Sequence, residues 1–218
     1  MKILITGASG FFGKQLVNSL RKENQIFKLN RKNSDYNIDL SVEKPFFNTN
    51  FDLVIHNAGK AHCKPETEEE KKLFYDVNEK GTINLLDGLT KKSKPNFFVY
   101  ISSVSVYGLT KGYLIDEMSP LLAKDPYGKS KIKAEIIVQD WCKKHNVICT
   151  IFRLPLLVGP NPPGNLGSMI RGIKKGYYFN VGGGFAKKSM VLASDVCKFI
   201  INASYVGGIY NLTDGNHP

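Results

Sequence analysis

The sequence predicts an α/β fold, a doubly wound parallel sheet with helices on both faces and a small C-terminal portion appended to it. Three observations carry this. Short apolar runs alternate with segments of helical spacing as far as Phe152. The runs show no strict polar alternation, as expected for strands buried on both sides. A glycine-rich turn, ITGASGFFG from Ile5 to Gly13, joins the first run to the first helical segment. Alternation of this kind implies right-handed crossovers between parallel strands.

The elements follow in order. Lys2 to Thr6 reads as a strand, and Phe11 to Lys22 as a helix with Phe12, Leu16 and Leu20 on one face. Gln25 to Asn30 and Phe51 to His56 read as strands, and about Glu66 to Thr90 as a long helix carrying Leu73, Val77, Leu85 and Leu86. Asn96 to Ser102 is a strong strand, about Asp125 to His145 a helix, and Val147 to Phe152 one more strand. The character then changes: LPLLVGPNPPGNLG is turn-rich, and helices near Leu166 to Lys175 and Ser194 to Ser204 are less regular. The domain change is placed near Leu154, giving a dinucleotide-binding unit over 1–153 and a partial substrate-binding region over 154–218 that crosses back to the sheet.

Bulk properties narrow the class. The 218 residues, 42% hydrophobic and 22% charged, suit an ordinary globular chain. MKILIT is too short an apolar run for a signal peptide, and no stretch approaches a membrane span, so a cytoplasmic location is expected, with no membrane partner. Cys63, Cys142, Cys149 and Cys197 lack metal-ligand spacing and read as buried free thiols, with no metal expected. The net charge of +11 comes from lysines scattered in ones and twos, which reads as a solvated basic surface and not as a nucleic-acid stripe.

The glycines have a mechanical use. Gly7 permits a tight turn, Gly10 lets a diphosphate approach the backbone, and Gly13 lets the helix pack closely. The phosphates would rest on free N–H groups at the helix N-terminus. At the end of the second strand, Asn30-Arg31-Lys32-Asn33 offers two cations and no acid, and Asp35 lies too far along. That favours NADP(H) over NAD(H), with Arg31 and Lys32 near the extra phosphate.

FFVYISSVSVYG places Ser102 and Ser103 at the end of a strand, at the edge where open α/β sheets bind ligands. In DPYGKSKIKAE, Tyr127 precedes Lys131 by four residues, so both share one helix face. An ammonium beside a phenol lowers the phenol's pKa, and a tyrosine so tuned can exchange a proton with a carbonyl or hydroxyl while hydride moves. Tyr107 to Lys111 has the same spacing, but Gly108 and Gly112 suit a loop. His56 reads as a satisfied core histidine, Trp141 as core packing, and VGGGFAKK as a flexible loop on the substrate side.

TGASGFFG, VIHNAG, DVNEKGTINLL, ISSVSVYG and YGKSKIKAE, in this order, resemble the extended short-chain dehydrogenase/reductase family, within it the nucleotide-sugar epimerases, dehydratases and reductases. FRLPLLVGPNPPGNLG and YNLTDGNHP are similar to bacterial 4-epimerases or 4-ketoreductases serving surface polysaccharides. The resemblance implies a Rossmann-type sheet and a nucleotide-diphosphate sugar as substrate. It implies Tyr127 as acid/base, Lys131 as its partner and ribose ligand, and Ser103 as donor to the substrate oxygen. Gly7, Gly10, Phe11, Phe12 and Gly13 would cradle the diphosphate of the cofactor; Asp39 and Leu40 would meet adenine, and Ala58, Gly59 and Ser102 would line the cofactor. Asn78 would brace the sheet edge, and Asn165 and Lys188 would reach the sugar nucleotide. Pro155 stands where many relatives have asparagine, and Lys188 where arginine is frequent, a point charge in place of a fork. A homodimer through the long helices is expected, as is a chain continuing beyond position 218.

Three readings stay open: an NADP(H)-dependent 4-keto reductase, favoured by the basic turn; an NAD-dependent 4-epimerase; and a non-catalytic dinucleotide-sensing or nucleic-acid-binding protein.

Overall fold

A computed structural model describes residues 1–61, 65–92, 94–179 and 187–215. The expected parallel α/β sheet is present, with seven strands in the order β3-β2-β1-β4-β5-β6-β9, every pair parallel. The strands are β1 (Lys2–Thr6), β2 (Gln25–Asn30), β3 (Tyr36–Asn37), β4 (Leu53–His56), β5 (Phe97–Ser103), β6 (Ile148–Leu154) and β9 (Gly208–Asn211). β7 (Leu156–Val158) and β8 (Met190–Leu192) form a separate parallel pair. The order reverses between β1 and β4, so the crevice at their carboxyl ends is the ligand edge of such a sheet.

The central strands are buried on both faces, which is why they read as unbroken apolar runs. On one face, Ile3, Ile5, Ile55, Val99 and Phe152 pack against α1 (Phe11–Leu20) and α6 (Ala193–Val206) through Leu16, Val196 and Ile200. On the other, Leu4, Val54, Phe98, Tyr100 and Ile151 meet α3 (Gly81–Lys92) and α4 (Pro126–His145) through Leu85, Leu89, Ala134 and Val138. The predicted change near Leu154 falls at the end of β6. Beyond it the chain runs through the small β7–β8 sheet and α5 (Gly164–Lys174), then returns: α6 covers the main sheet and β9 extends it.

The long predicted helix is interrupted. α2 (Glu68–Tyr75) passes through a π turn at Asp76–Lys80 into α3. Its start is set by Thr67, which accepts the Glu70 N–H, and by three acidic residues in the first turn. α4 begins at Asp125, whose side chain accepts the Gly128 N–H, with Pro126 in the first turn, and ends at Asn146 in the left-handed region.

A buried ion pair fastens α4 to the sheet. Glu135 meets Arg153 on β6 at 2.8 Å, the two side chains 1% and 3% exposed. Arg153 Nε also reaches both carboxylate oxygens at 3.2 Å. Removing one partner would leave an uncompensated buried charge. Glu135→Leu is therefore expected to lower the unfolding free energy by about 3–5 kcal/mol in urea titration, and Glu135→Leu/Arg153→Met to recover much of that loss. A single variant as stable as the native chain would contradict this.

Candidate active site

The glycine turn forms as expected. Gly7 sits at φ 64°, the left-handed region. A methyl group on Gly13 would lie 2.1 Å from the Gly7 carbonyl oxygen, so the helix closes on the turn itself as well as on the sheet. Gly10 caps α1, whose first turn carries no acidic residue. The Phe11 and Phe12 N–H groups at that end lack intrahelical acceptors, a cradle that fits a dinucleotide diphosphate.

The turn is held from behind. Asn30, buried at the end of β2, accepts the Ser9 N–H at 3.1 Å through Oδ1. The residue where an acid was sought thus braces the glycine turn, while Arg31 and Lys32 stand exposed beyond it. Asp35 turns back to accept the Lys28 N–H, away from that position. Asp39 spends its carboxylate on Ser41, at 3.0 Å to N–H and 2.6 Å to the hydroxyl. Leu40 is buried and its carbonyl accepts from Asn84. Beyond β4, Ala58 donates its N–H to Thr6 Oγ1, and Gly59 passes close to Asn78 and Lys131.

Ser103 ends β5, and its hydroxyl accepts from Ser105 N–H and donates to Ser105 Oγ, capping a 3₁₀ turn at Val104–Tyr107. Tyr127, in the first turn of α4, is half-buried with its ring 6.0 Å from that of Phe74. A methyl group on Gly128 would collide with Ala123 and with the Ser105 carbonyl; this close approach seats Tyr127 beside the Ser103 turn. Burial pushes the Tyr127 phenol above its ordinary value, the Ser103 hydroxyl pulls it down, and Asp125 adds to the rise.

Lys131 differs from expectation. The sequence assigned its charge to the Tyr127 phenol, but its ammonium donates to the Ile101 carbonyl at 2.8 Å and to the Tyr100 hydroxyl at 3.2 Å. A buried ammonium requires acceptors, and the end of β5 supplies them. Burial lowers its pKa to about 8 against the opposing pull of Glu135. Tyr100, missed in the sequence because it stands inside an apolar run, is thus part of the site.

Ser102 is committed inward, its hydroxyl donating to Glu135. Asn78, on the π turn, binds Lys60 N–H and carbonyl and the Ser130 hydroxyl, as a brace between the β4 loop and α4. His56 lies buried between Thr6 at 2.7 Å and Thr82 at 3.0 Å, the core histidine expected. Tyr107 is buried and bonded to Asn211 and Arg153, while Lys111 stands exposed after the Gly108 turn, so that alternative pair does not form. Asn165 and Lys188 are exposed in the C-terminal portion, and among the described residues no hydrogen bond ties either to Tyr127. The glycines of VGGGFAKK and Cys63 lie outside the described residues; Cys142 and Cys197 are buried free thiols, and Cys149 is half-buried. Among the described residues no acidic, histidine and cysteine cluster fits a metal, and no helix is long and apolar enough to cross a membrane.

The profile of the NAD dependent epimerase/dehydratase family matches residues 3–212. An N-acetyl-alpha-D-glucosaminyl-diphospho-ditrans,octacis-undecaprenol 4-epimerase of Escherichia coli O157:H7 is 29% identical over 97% of this chain and 67% of its own length. A UDP-glucose 4-epimerase of Vibrio cholerae is 32% identical over 80% of this chain and 57% of its own. The structure of RMD from Pseudomonas aeruginosa complexed with NADPH superposes with a TM-score of 0.83 at 26% identity, over 99% of this chain and 76% of that one.

The buried groups make stability depend on pH. Burial and the nearby Lys131 charge depress the His56 pKa to about 3, below the ordinary 6.5. Between those values the unfolded chain binds the extra proton, so acidification costs stability, by up to about 1.4 kcal/mol per pH unit. Native unfolding midpoints are expected to fall between pH 6 and 4 more steeply than those of His56→Gln; parallel curves would contradict the assignment.

Proposed function

The chain belongs to the NAD dependent epimerase/dehydratase family, and from that premise we propose that it moves hydride at carbon 4 of a sugar diphosphate. The observation that carries the reading is the convergence, beside the glycine turn, of Ser103, Tyr127 and Lys131 at the carboxyl ends of the strands. A nicotinamide dinucleotide, with its diphosphate on Gly7, Gly10, Phe11, Phe12 and Gly13, supplies hydride acceptance and return. Asp39 and Leu40 would flank its adenine, and Ala58 and Gly59 its nicotinamide half. The chain's own residues handle the proton. The Tyr127 phenol gives or takes it at the substrate oxygen, and the Ser103 hydroxyl holds that oxygen. Lys131 has two ammonium donors occupied and a third left for a ribose hydroxyl. Asn165 and Lys188 would meet the diphosphate of the substrate.

The two curated relatives named above are 4-epimerases, which favours oxidation and re-reduction of one carbon with NAD retained. The substrate class is a sugar diphosphate, a nucleotide sugar in the Vibrio relative and a polyprenyl-linked one in the Escherichia relative. The second reading is 4-keto reduction with exchanging NADPH. The acid-free end of β2, Asn30-Arg31-Lys32, favours it, as does a structural neighbour that binds NADPH. Pairing of two copies through α3 and α4, where Ile83 and Ile136 are exposed, belongs to either reading.

Fluorescence titration with NADPH and NADH, for the native chain and Arg31→Ala, separates the two. The epimerase reading expects no NADPH preference, or NAD released when the purified protein is denatured. An NADPH preference lost in Arg31→Ala would replace it with the reductase. Neither cofactor binding would overturn both. With a 4-keto or 4-hydroxy sugar nucleotide, Tyr127→Phe is expected to reduce kcat by about 10²–10⁴ while leaving cofactor affinity near native.

A further inference from the structure

A line of buried polar side chains lies under the proposed site, and apart from its first member neither the diphosphate cradle nor the proton chemistry uses it. It starts at Lys131, whose ammonium donates to Tyr100 Oη at 3.2 Å and sits 4.6 Å from the Tyr100 ring centroid. Tyr100 is fully buried on β5, with its phenol close to the Thr82 hydroxyl on α3. Thr82 donates its own proton to the Asn78 carbonyl at 2.6 Å. The bond between Thr82 and His56 Nε2 at 3.0 Å must therefore have the imidazole as donor. That fixes Nδ1 as the acceptor, and Thr6 Oγ1 donates to it at 2.7 Å. Thr6 Oγ1 then accepts the Ala58 N–H at 3.0 Å. From Thr82 to Ala58, the direction of each proton follows from its neighbours.

The ends of the line matter. Thr6 immediately precedes Gly7, Ala58 lies in the loop after β4, and Lys131 faces that loop where a methyl group on Gly59 would lie 3.4 Å from its nitrogen. The line therefore crosses three neighbouring strands and joins both backbone segments of the cofactor crevice to the buried Lys131 ammonium. It is no proton wire, because the Thr82 hydrogen is committed to a backbone carbonyl and the line stops at an amide. An apolar residue at position 100 would have filled the same core space without a hydroxyl to satisfy.

We infer that Tyr100 is a positioning residue for Lys131, held in register by Thr82, His56 and Thr6, so that the ammonium stays charged and aimed at the crevice between Gly7 and Gly59. The role rests on the hydride-transfer reading for its purpose but not for its geometry. The titratable groups around Lys131 are His56 on β4, Tyr100 on β5, and Tyr127 and Glu135 one turn either side on α4. His56 is neutral throughout the useful range and Glu135 is paired with Arg153, so the Tyr100 hydroxyl is the adjustable partner. Tyr100→Phe keeps the ring and the packing and removes one acceptor from a buried charge. The ammonium becomes easier to deprotonate.

The test is the titration of Lys131 in cofactor-free protein carrying ¹³C,¹⁵N-lysine, its resonance assigned by loss in Lys131→Met. The native value is expected at about 8. Tyr100→Phe is expected to lower it by about one unit, since a hydrogen bond to a charged group is worth that much or more. Thr82→Val, which leaves the Tyr100 phenol in place but loosens it, is expected to give a smaller shift in the same direction. NADPH or NADH affinity in Tyr100→Phe should then fall off at a lower pH than in the native chain. An unchanged Lys131 titration in a folded Tyr100→Phe protein would overturn the assignment, and so would a change in thermal stability with no shift in either variant. If Tyr100→Phe fails to fold, Thr82→Val alone decides between the same outcomes. A protein that binds neither cofactor yet shows the Lys131 shift would sink the proposed function and leave this inference standing.

Discussion

The carboxyl edge of the sheet is organised around one buried ion pair, Glu135 with Arg153. Glu135 follows Lys131 by one helical turn and Tyr127 by two, so the three share a face of α4. Fixing Glu135 against β6 therefore fixes the rotation of the helix and the direction of the other two. The pair gathers partners from several elements. Ser102 on β5 donates to Glu135, and Arg153 donates to the Tyr107 hydroxyl and to the Glu117 carbonyl, both at 3.0 Å. Tyr107 in turn donates to Asn211 on β9, whose N–H and side chain hold Glu117 and Ile115. Two charges are costly to bury, and this pair is compensated only because nearly every remaining lone pair and proton finds a partner.

This explains why the C-terminal strand belongs to the same unit as the first six. β9 completes the sheet and supplies Asn211, the last member of the network, which holds the Ile115–Glu117 segment. The boundary near Leu154 marks a change in local character rather than a break in the core. Similarly, the π turn at Asp76–Lys80 holds Asn78, which joins the β4 loop to α4. Two separate braces, Asn78 and Glu135, thus act on one helix.

Much of this was legible in the sequence, for physical reasons. Strands buried on both faces must be apolar throughout, so β1, β4, β5 and β6 were found within a residue or two. The glycine turn was legible because Gly7 needs positive φ and Gly13 admits no side chain. Ser103 stands at the end of a strand and Tyr127 at a capped helix start, the places expected from the sequence. The π turn was not legible, because one extra residue in a helix barely disturbs the apolar spacing. β3 and β9 are too short for periodicity. Lys131's partners were misread because a four-carbon side chain reaches acceptors that spacing cannot specify. Arg153 was the signal left unused: a cation inside an apolar strand needs a buried counter-charge, and Glu135 on α4 was available.

The decisive measurement is a crystal structure with NADPH or NAD soaked in. The cofactor diphosphate is expected on the Phe11 and Phe12 N–H groups, and its nicotinamide half against Ala58, Gly59 and the Tyr127 hydroxyl. Lys131 should keep the Ile101 carbonyl while directing its third N–H to a ribose oxygen. A dinucleotide bound elsewhere, or a bound nicotinamide remote from Tyr127 and Ser103, would contradict the central claim that these residues form the hydride-transfer site.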